Sequence, residues 1–527
     1  MRLHGWGMAI GLAALTALAQ PAAAQTADTV LKWGDNLSPS LDPHALSDVP
    51  AAFPRLNAYD SLLRVVGNPP KIEPWLAERY TGSADGKAFR FELRKGVKFH
   101  DGSELTSADV IYSFQRMIGM NKGYAGAFKP VLKPENIKAD GPYAVTMSLD
   151  VAYAPFVSAV PLVAIVNQKL VEANTVTKDG KSDWGEAWLL SNDAGSGAFK
   201  IVAGSFKPLS QFDLEWFPDY FLGWNPKHLT AIKARMIHET STRVLAVSKG
   251  EIDLTDSYLP ADQLEKLKKT AGVRVSQDTT MRTFIIRMNN QRAPFNNVHF
   301  RRALSYAFNY KGFIEQVKHN YAVRNPGPIP VTLWGSPDDL KGYSYDLAKA
   351  REELELAKKD GVDITREFDL SPQSDLDETV QAAQLFQSDL IKIGLKPRVT
   401  KKLWANLSSE ATKPETAPDM WIHWISAYFI DPENWIGQAY DSRFHGTWKA
   451  SAWYKNPKVD DLLTRARESL DQSTRKQLYE EASRILVDEA ADIWVYNTVE
   501  QRAYRNRVKG VVFAPVGTLE ARTIYLE

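Results

Sequence analysis

The stretch Leu93-Arg94-Lys95-Gly96-Val97-Lys98-Phe99-His100-Asp101-Gly102 separates two segments of different polarity pattern, and it decides the fold class. Before it, residues 89–93 (Phe-Arg-Phe-Glu-Leu) alternate apolar and charged side chains, which predicts a strand with one buried face. After it, Thr106 to Asp109 form a capping-box pattern that is followed by apolar residues at helical spacing. Strand, turn and helix therefore succeed one another, which indicates a mixed α/β fold.

The remainder of the chain mixes both periodicities in the same way. Residues 377–393 carry apolar side chains at helical spacing, and Gly394 stands where a left-handed residue ends a helix. Ser473 is predicted to cap a further helix. We find neither a repeat of 20–50 residues nor a Gly/Ser-rich linker, so we expect domains that are joined by chain crossings.

The N-terminus has the pattern of a secretory signal peptide over residues 1–24. Arg2 supplies a positive charge, Met8 to Leu18 are apolar, and Ala22-Ala23-Ala24 offers a cleavage site. The apolar run is shorter than the roughly 20 residues that span a bilayer. We therefore expect a mature protein that begins at Gln25, is exported to the periplasm and has no direct membrane anchor.

Composition narrows the possible functions. The chain has 527 residues, which predicts at least two domains because single cores stop growing at about 250–300 residues. It contains no cysteine, which excludes disulfides, lipidation of a cysteine and thiolate-bound zinc or iron–sulfur centres. Lys and Arg number 64 against 63 Asp and Glu, so no basic surface predicts a nucleic-acid partner.

Patterns for catalysis are weak. His100-Asp101 could form half of a hydrolytic triad, but its place between a strand and an Asp-Gly turn favours a structural histidine. Gly195-Ser196-Gly197 fits neither a nucleophile elbow nor a dinucleotide fingerprint, and we interpret it as a tight turn that uses glycine's φ freedom. We predict no enzyme, no catalytic residue, no cofactor and no metal, although a carboxylate pair that acts on glycosides stays open.

A series of motifs points to one family. They are Leu41-Asp42-Pro43, Tyr59-Asp60-Ser61-Leu62, Pro74-Trp75-Leu76-Ala77-Glu78, the stretch 93–102, Ala108-Asp109-Val110, Gly195-Ser196-Gly197-Ala198-Phe199 and Arg301-Arg302-Ala303-Leu304-Ser305-Tyr306-Ala307. In this order they resemble the periplasmic solute-binding proteins of the dipeptide, oligopeptide and nickel ABC importers (family 5, cluster C). Ala198 departs from the proline that is usual at its position.

The resemblance implies a two-lobed periplasmic-binding-protein fold, type II-like, with an extra subdomain in lobe I. Residues 25–280 and 500–527 would form lobe I, and residues 281–499 would form lobe II. A peptide or peptide-like solute would bind in the cleft, and hinge closure would present it to the membrane subunits of an ABC permease. We expect a monomer.

The resemblance also places a ligand-contacting loop after Trp424, and this loop departs from the peptide-binding pattern. Ala427 stands where peptide binders carry the Asp that holds the ligand's α-amino group, and Asp431 follows one residue late. The loop 370–375 has no Arg for a ligand carboxylate. Since an unpaired ammonium is costly to bury, we expect these changes to affect ligand choice.

Other predicted contacts are rings, polar groups and one cation. The predicted ligand-binding residues are Asn36, Ser38, Ser40, Arg282, Phe284, Trp404, Trp421, Trp424, Ala427, Tyr428, Asp431 and Trp435. Arg282 is the candidate to meet an anionic ligand group. Three functions stay open: binding of a peptide or peptide-like solute, binding of a sugar, opine-type or other polar metabolite, and an exported hydrolase.

Overall fold

A computed structural model describes residues 1, 29–35, 37–47, 49–67, 70–513 and 519–527. Apart from Met1, the predicted signal peptide lies outside the described residues. Within the described ranges, every helix is too short or too polar to cross a membrane.

Strands and helices are interspersed along the whole chain. The strands are β1 (Val30–Asp35), β2 (Leu63–Val66), β3 (Lys71–Pro74), β4 (Ala77–Gly82), β5 (Ala88–Leu93), β6 (Ile137–Ala139), β7 (Ala144–Ser148), β8 (Thr177–Lys178), β9 (Lys181–Ser182), β10 (Phe199–Ile201), β11 (Gln211–Trp216), β12 (Ala231–Met236), β13 (Leu254–Thr255), β14 (Val273–Val275), β15 (Asp278–Met288), β16 (Ala322–Arg324), β17 (Glu367–Ser371), β18 (Lys396–Val399), β19 (Met420–Ile425), β20 (Asp492–Glu500), β21 (Ala503–Arg505), β22 (Val508–Lys509) and β23 (Tyr525–Leu526). The helices are α1 (Val49–Ala58), α2 (Ser107–Met120), α3 (Phe156–Ala159), α4 (Gln168–Ala173), α5 (Glu186–Leu189), α6 (Thr240–Lys249), α7 (Ala261–Lys268), α8 (Val298–Ala307), α9 (Tyr310–Gly312), α10 (Leu347–Lys359), α11 (Asp377–Lys392), α12 (Trp404–Glu410), α13 (Gly437–Tyr440), α14 (Pro457–Glu468) and α15 (Gln472–Asp488).

Two large sheets organise the molecule, and we name its two lobes after them. Lobe I, before β15 and after β20, contains the seven-stranded sheet β10-β11-β12-β1-β13-β21-β14. Lobe II, from β15 to β20, contains the six-stranded sheet β16-β20-β15-β19-β17-β18. Lobe I also carries a separate four-stranded sheet, β4-β5-β7-β6, against which α2 packs. The predicted α/β class with an extra subdomain in lobe I is confirmed.

The chain crosses between the two sheets twice. Residues 276–277 lead from β14 into β15, and residues 501–502 lead from β20 into β21. The two crossings lie side by side, since the Ser276 N–H donates to the Arg502 carbonyl at 2.9 Å. Arg502 also forms an ion pair with Glu500 at 3.0 Å. The limits predicted for the lobes, at residues 280 and 500, stay a prediction.

Local patterns explain several elements. In β5 the side chains alternate between buried and half-buried, as the period-two pattern predicts. Helix α2 begins after Thr106, whose N–H donates to Asp109 Oδ2 at 2.9 Å, and Gly394 after α11 has a φ of 87°. The cap predicted for α15 is wrong, because Asp471 instead of Ser473 accepts the Thr474 N–H, at 2.7 Å.

Gly195 and Gly197 are required by close backbone contact, which corrects the prediction that they use φ freedom. Neither has a positive φ. A Cβ at Gly195 would lie 1.8 Å from the Ala58 carbonyl oxygen, and one at Gly197 would lie 2.5 Å from the Asn57 carbonyl oxygen. The segment therefore fits against the end of α1 only because it lacks side chains at these positions.

His100 is structural, as its sequence context predicts. Its Nδ1 lies 2.9 Å from the Asp193 carboxylate, and its Nε2 lies 2.9 Å from the Gly197 carbonyl. Although burial opposes the charged imidazole, the Asp193 charge and these hydrogen bonds leave the pKa of His100 raised. The ring thus ties the stretch 93–102 to the 193–197 segment of lobe I.

Candidate functional site

A cavity of about 350 Å³ lies between the two lobes. Lobe I lines it with Ser47, residues 121–127 and Leu162. Lobe II lines it with Thr412, residues 428–429, Gln438, Phe444 and residues 446–449. A volume of this size is within the range of small-molecule sites, and a boundary shared by two lobes is a usual place for them.

Aromatic contacts join the lobes at this cavity. The Tyr124 ring of lobe I lies 5.6 Å from the Tyr428 ring of lobe II, centroid to centroid. The next side chain, Phe429, is buried in the hydrophobic cluster of lobe I that contains Phe128 and Phe156. The loop after β19 therefore contacts both lobes in this structure.

Buried polar contacts fix that loop. Asp431 Oδ1 accepts the Glu433 N–H at 3.0 Å, and Arg475 Nη2 of α15 donates to both Asp431 oxygens, at 2.7 and 2.8 Å. The Asn434 side chain donates to the Ser426 carbonyl at 2.9 Å. Asp431 is thus a buried partner of Arg475, and its carboxylate is already occupied.

Lys449 is a buried cation on the cavity wall. Its Nζ donates to Asn434 Oδ1 at 2.8 Å, to Gln438 Oε1 at 2.7 Å and to the Asn434 carbonyl at 3.4 Å. The ammonium also lies 4.5 Å from the centroid of the Tyr428 ring. All the acceptors that the described residues offer to the Lys449 ammonium are uncharged amide or carbonyl oxygens.

Desolvation and nearby charges determine how Lys449 titrates. Burial, which is the larger cause, and the positive charge of Arg287 lower the pKa of Lys449 to about 7, while Glu433 opposes this. Arg287 is paired with Asp492 at 3.0 Å, and Glu433 is paired with Arg467 at 2.9 Å. The two neighbouring charges therefore have partners of their own.

Arg282 forms a second cationic cluster with aromatic rings. Its guanidinium carbon lies 4.8 Å from the Tyr258 centroid of lobe I and 5.2 Å from the Trp424 centroid of β19. Its Nε is buried and has no hydrogen-bond partner among the described residues. The structure thus brings the predicted Arg282 and Trp424 together where the lobes meet.

Trp404 and Trp421, two of the predicted ligand contacts, pack behind the cavity. Trp404 lies 5.8 Å from Trp421, centroid to centroid, and 5.0 Å from Trp448, which lines the cavity. Trp421 is fully buried and stacks on His423 at 3.9 Å. These rings support the wall that Trp448 presents.

Three other predicted contact residues are buried in the cores of lobe II. Phe284 stacks on Tyr496 with centroids 4.9 Å apart, and both rings are fully buried. Ala427 and Trp435 belong to the cluster around Tyr440. All three pack in the core in this structure, and their contact with a solute stays a prediction.

The predicted polar loop in lobe I makes local hydrogen bonds. Ser38 Oγ donates to the Ser40 carbonyl at 2.7 Å, and Ser40 Oγ accepts the Asp42 N–H at 3.1 Å. Asn36 lies outside the described residues. Of the eleven predicted contacts that the structure describes, Tyr428 is the one that lines the cavity.

Sequence reasoning missed Lys449, Tyr124 and Gln438. A signal for Lys449 exists, because it is the only charged residue in the run from Gly446 to Tyr454. A lone charge among small and aromatic residues indicates a buried ionisable group. No local pattern indicates that residues 121–127 reach the same cavity.

Comparison with known proteins gives the family. The family model of the bacterial extracellular solute-binding proteins, family 5 Middle, matches residues 71–446. A probable D,D-dipeptide-binding periplasmic protein of Escherichia coli K12, DdpA, is 30% identical over 449 residues, which cover 84% of this chain and 83% of that protein. The heme-binding protein A of Haemophilus influenzae is 29% identical over 478 residues, which cover 87% and 85%.

A solved structure agrees. The periplasmic binding protein DppA of Helicobacter pylori in complex with the peptide STSA has a TM-score of 0.81 and 25% identity, covering 95% of this chain and 98% of that chain. Its fold is the two-lobed fold of this chain. The protein therefore belongs to family 5 of the bacterial extracellular solute-binding proteins.

Proposed function

We propose that this protein is the periplasmic substrate-binding component of an ABC importer, and that it captures a peptide or peptide-like solute between its lobes. The observation that carries the proposal is the 350 Å³ cavity with one wall from each lobe. A solute held there contacts both lobes only when they are together. Its differential affinity for that arrangement then drives closure, which the permease recognises.

The chain crossings suit this motion. Residues 276–277 and 501–502 run side by side and are the two connections between the large sheets. A rotation about these short segments changes few backbone angles and leaves both sheets intact. We further propose that the protein binds its solute without catalysing a reaction, and that it acts as a monomer without a membrane anchor of its own.

What two similar proteins bind supports a peptide as the class of solute. The Escherichia coli relative is described as a probable D,D-dipeptide-binding protein, and the Helicobacter pylori structure holds the peptide STSA. A peptide with a free amino terminus needs an anion beside its ammonium. The lining of this cavity contains no Asp or Glu among the described residues, and Asp431 is held by Arg475.

An opine-type or other conjugated metabolite is the second candidate. The absence of a carboxylate from the described cavity lining favours a solute whose amino group is blocked or substituted. Tyr124, Tyr428 and Trp448 offer ring faces that suit the apolar parts of such a molecule.

Mass spectrometry of the protein purified from its native periplasm without unfolding tests the proposal. Acid release is expected to yield a bound, chemically unmodified peptide or conjugate at close to one per chain. Peptides of several sequences support the first candidate, and a single conjugated metabolite supports the second. Recovery of no solute, or turnover of the released solute when it is added back, would contradict a binding function.

A further inference from the structure

We propose that Lys449 binds a carboxylate of the solute, and that the protein therefore selects acidic solutes. This inference rests on the proposed function, since it requires that the solute occupies the cavity between the lobes. Lys449 would then be a specificity-determining contact that lies outside the residues predicted from sequence.

The position of the ammonium is the first argument. Lys449 lies in the loop before α14, with only 8% of the residue exposed, and it belongs to the cavity lining. Its Nζ is held by Asn434 Oδ1, by Gln438 Oε1 and, at 3.4 Å, by the Asn434 carbonyl, and Gln438 also lines the cavity. The amide oxygens thus fix the ammonium at the wall without neutralising its charge.

The neighbouring charges are the second argument. Arg287 donates to the Lys449 carbonyl and pairs with Asp492, and Glu433 pairs with Arg467. Among the described residues, no carboxylate oxygen lies within 4.0 Å of the Lys449 Nζ to form an ion pair. Removing an ammonium from water without a paired anion is unfavourable, so a bound carboxylate would stabilise this arrangement.

The cavity lining is the third argument. Its charged members are Lys122 and Lys449. Lys122 is exposed and pairs with Glu186 at 2.6 Å, so its charge is already balanced. Lys449 is therefore the cation of the wall that a solute anion would meet, and a lowered pKa is consistent with its missing counter-charge.

A purely structural role predicts different behaviour. If Lys449 served only to hold Asn434 and Gln438, the charge of the solute would be irrelevant to binding. The variant Lys449→Arg keeps the charge and Lys449→Met removes it. Lys122→Met is a matched control, because it removes the other lysine of the cavity lining.

The experiment uses one solute pool for all four proteins. Wild type and the three variants are unfolded in guanidinium chloride, refolded, checked by circular dichroism, and equilibrated with casein-hydrolysate peptides. Half of the pool has its carboxylates converted to methylamides. Bound peptides are released by acid and counted by mass spectrometry, alongside the solute that co-purifies with the native protein.

Wild type and Lys122→Met are expected to retain the acids at least tenfold over the amides, and Lys449→Met is expected to lose this preference. Lys449→Arg is expected to keep part of it. Equal retention of acids and amides by wild type, or an unchanged preference in Lys449→Met, overturns the inference. A co-purified solute without an acidic group overturns it too, while leaving the proposed function intact. Retention of nothing, with no co-purified solute, overturns both.

Discussion

Tyr124 of lobe I and Tyr428 of lobe II face each other across the boundary of the lobes, with ring centroids 5.6 Å apart and planes at 59°. Both line the cavity, and the Lys449 ammonium lies over the Tyr428 ring. One aromatic side chain therefore links the opposite lobe, the cavity and the buried cation. Its removal would affect all three.

The first prediction concerns this ring pair. Tyr428→Ala is expected to weaken solute binding by about tenfold, because it removes one aromatic pair of about 0.5–1.5 kcal/mol and a cation–π contact. Tyr428→Phe keeps the ring and is expected to stay within about threefold of wild type. Isothermal titration with the solute recovered from the native protein measures both. Equal affinities of Tyr428→Ala and wild type would contradict the proposed site.

The second prediction concerns Asp431 and Arg475. Asp431→Asn keeps a side-chain oxygen to cap Glu433 but leaves the buried Arg475 without a counter-charge. Its free energy of unfolding is expected to fall by about 3 kcal/mol, as when one partner of a buried ion pair is removed. Urea unfolding of the solute-free protein measures the change.

A matched control for that pair exists on α14. Asp461 and Arg465 form an exposed ion pair at 3.3 Å. Asp461→Asn is expected to change stability by less than about 1 kcal/mol. If Asp431→Asn behaved like this control and instead lost solute binding alone, Asp431 would be a ligand contact and its assignment here would be wrong.

The third prediction concerns pH. The pKa of Lys449 is about 7 in the folded protein and near 10.5 in the unfolded chain, mainly because folding buries the amine. Between these values the unfolded chain holds the proton and the folded protein does not, so stability rises with pH. Between pH 7 and 9 the solute-free wild type is expected to gain up to about 1.4 kcal/mol per pH unit relative to Lys449→Met.

Urea unfolding of both proteins at pH 7, 8 and 9 separates this contribution from those of all other groups, which the two proteins share. Charged groups that act on Lys449 are Arg287 and Glu433, and both are paired. Parallel stability curves for wild type and Lys449→Met would show that the lysine keeps an ordinary pKa.

The fourth prediction concerns Gly195. A Cβ there would overlap the Ala58 carbonyl oxygen, so Gly195→Ala must displace backbone and is expected to cost at least about 2 kcal/mol of stability. Gly126→Ala is the control, because no atom lies within 4 Å of its Cβ position. Thermal unfolding compares them, and equal melting temperatures would refute the close contact.

Sequence patterns predicted the elements whose cause is local. The alternation over β5 and the Asp109 cap of α2 depend on neighbours a few residues away, and both are present in the structure. The turn at 195–197 was expected, but its reason was not, because Ala58 approaches from a distant part of the chain. Asp471 caps α15 in place of the predicted Ser473, and the residue type does not separate the two because both cap helices.

The candidate site was harder to predict from sequence, because its residues also converge from distant parts of the chain. Aromatic residues such as Trp435 and Phe284 suit a ring-lined cleft, but they suit a hydrophobic core equally well. Both lie in the core. The Lys449 ammonium is held by Asn434, Gln438 and the Tyr428 ring. These three side chains come together only through the fold of the loop after β19. The sequence shows that Ala427 is not an acid and that Lys449 is a lone charge between Gly446 and Tyr454, but it does not show that Lys449 lines the cavity.

The position of β21 has a consequence for the order in which the protein can fold. This strand lies between β13 and β14, and the Ala503 N–H donates to Thr255 Oγ1 across 248 positions of sequence. Until the last part of the chain has been synthesised, β13 and β14 lack their common neighbour and present open edges. Lobe I therefore cannot complete its main sheet before residues 503–505, close to the end of the chain, are available to pair.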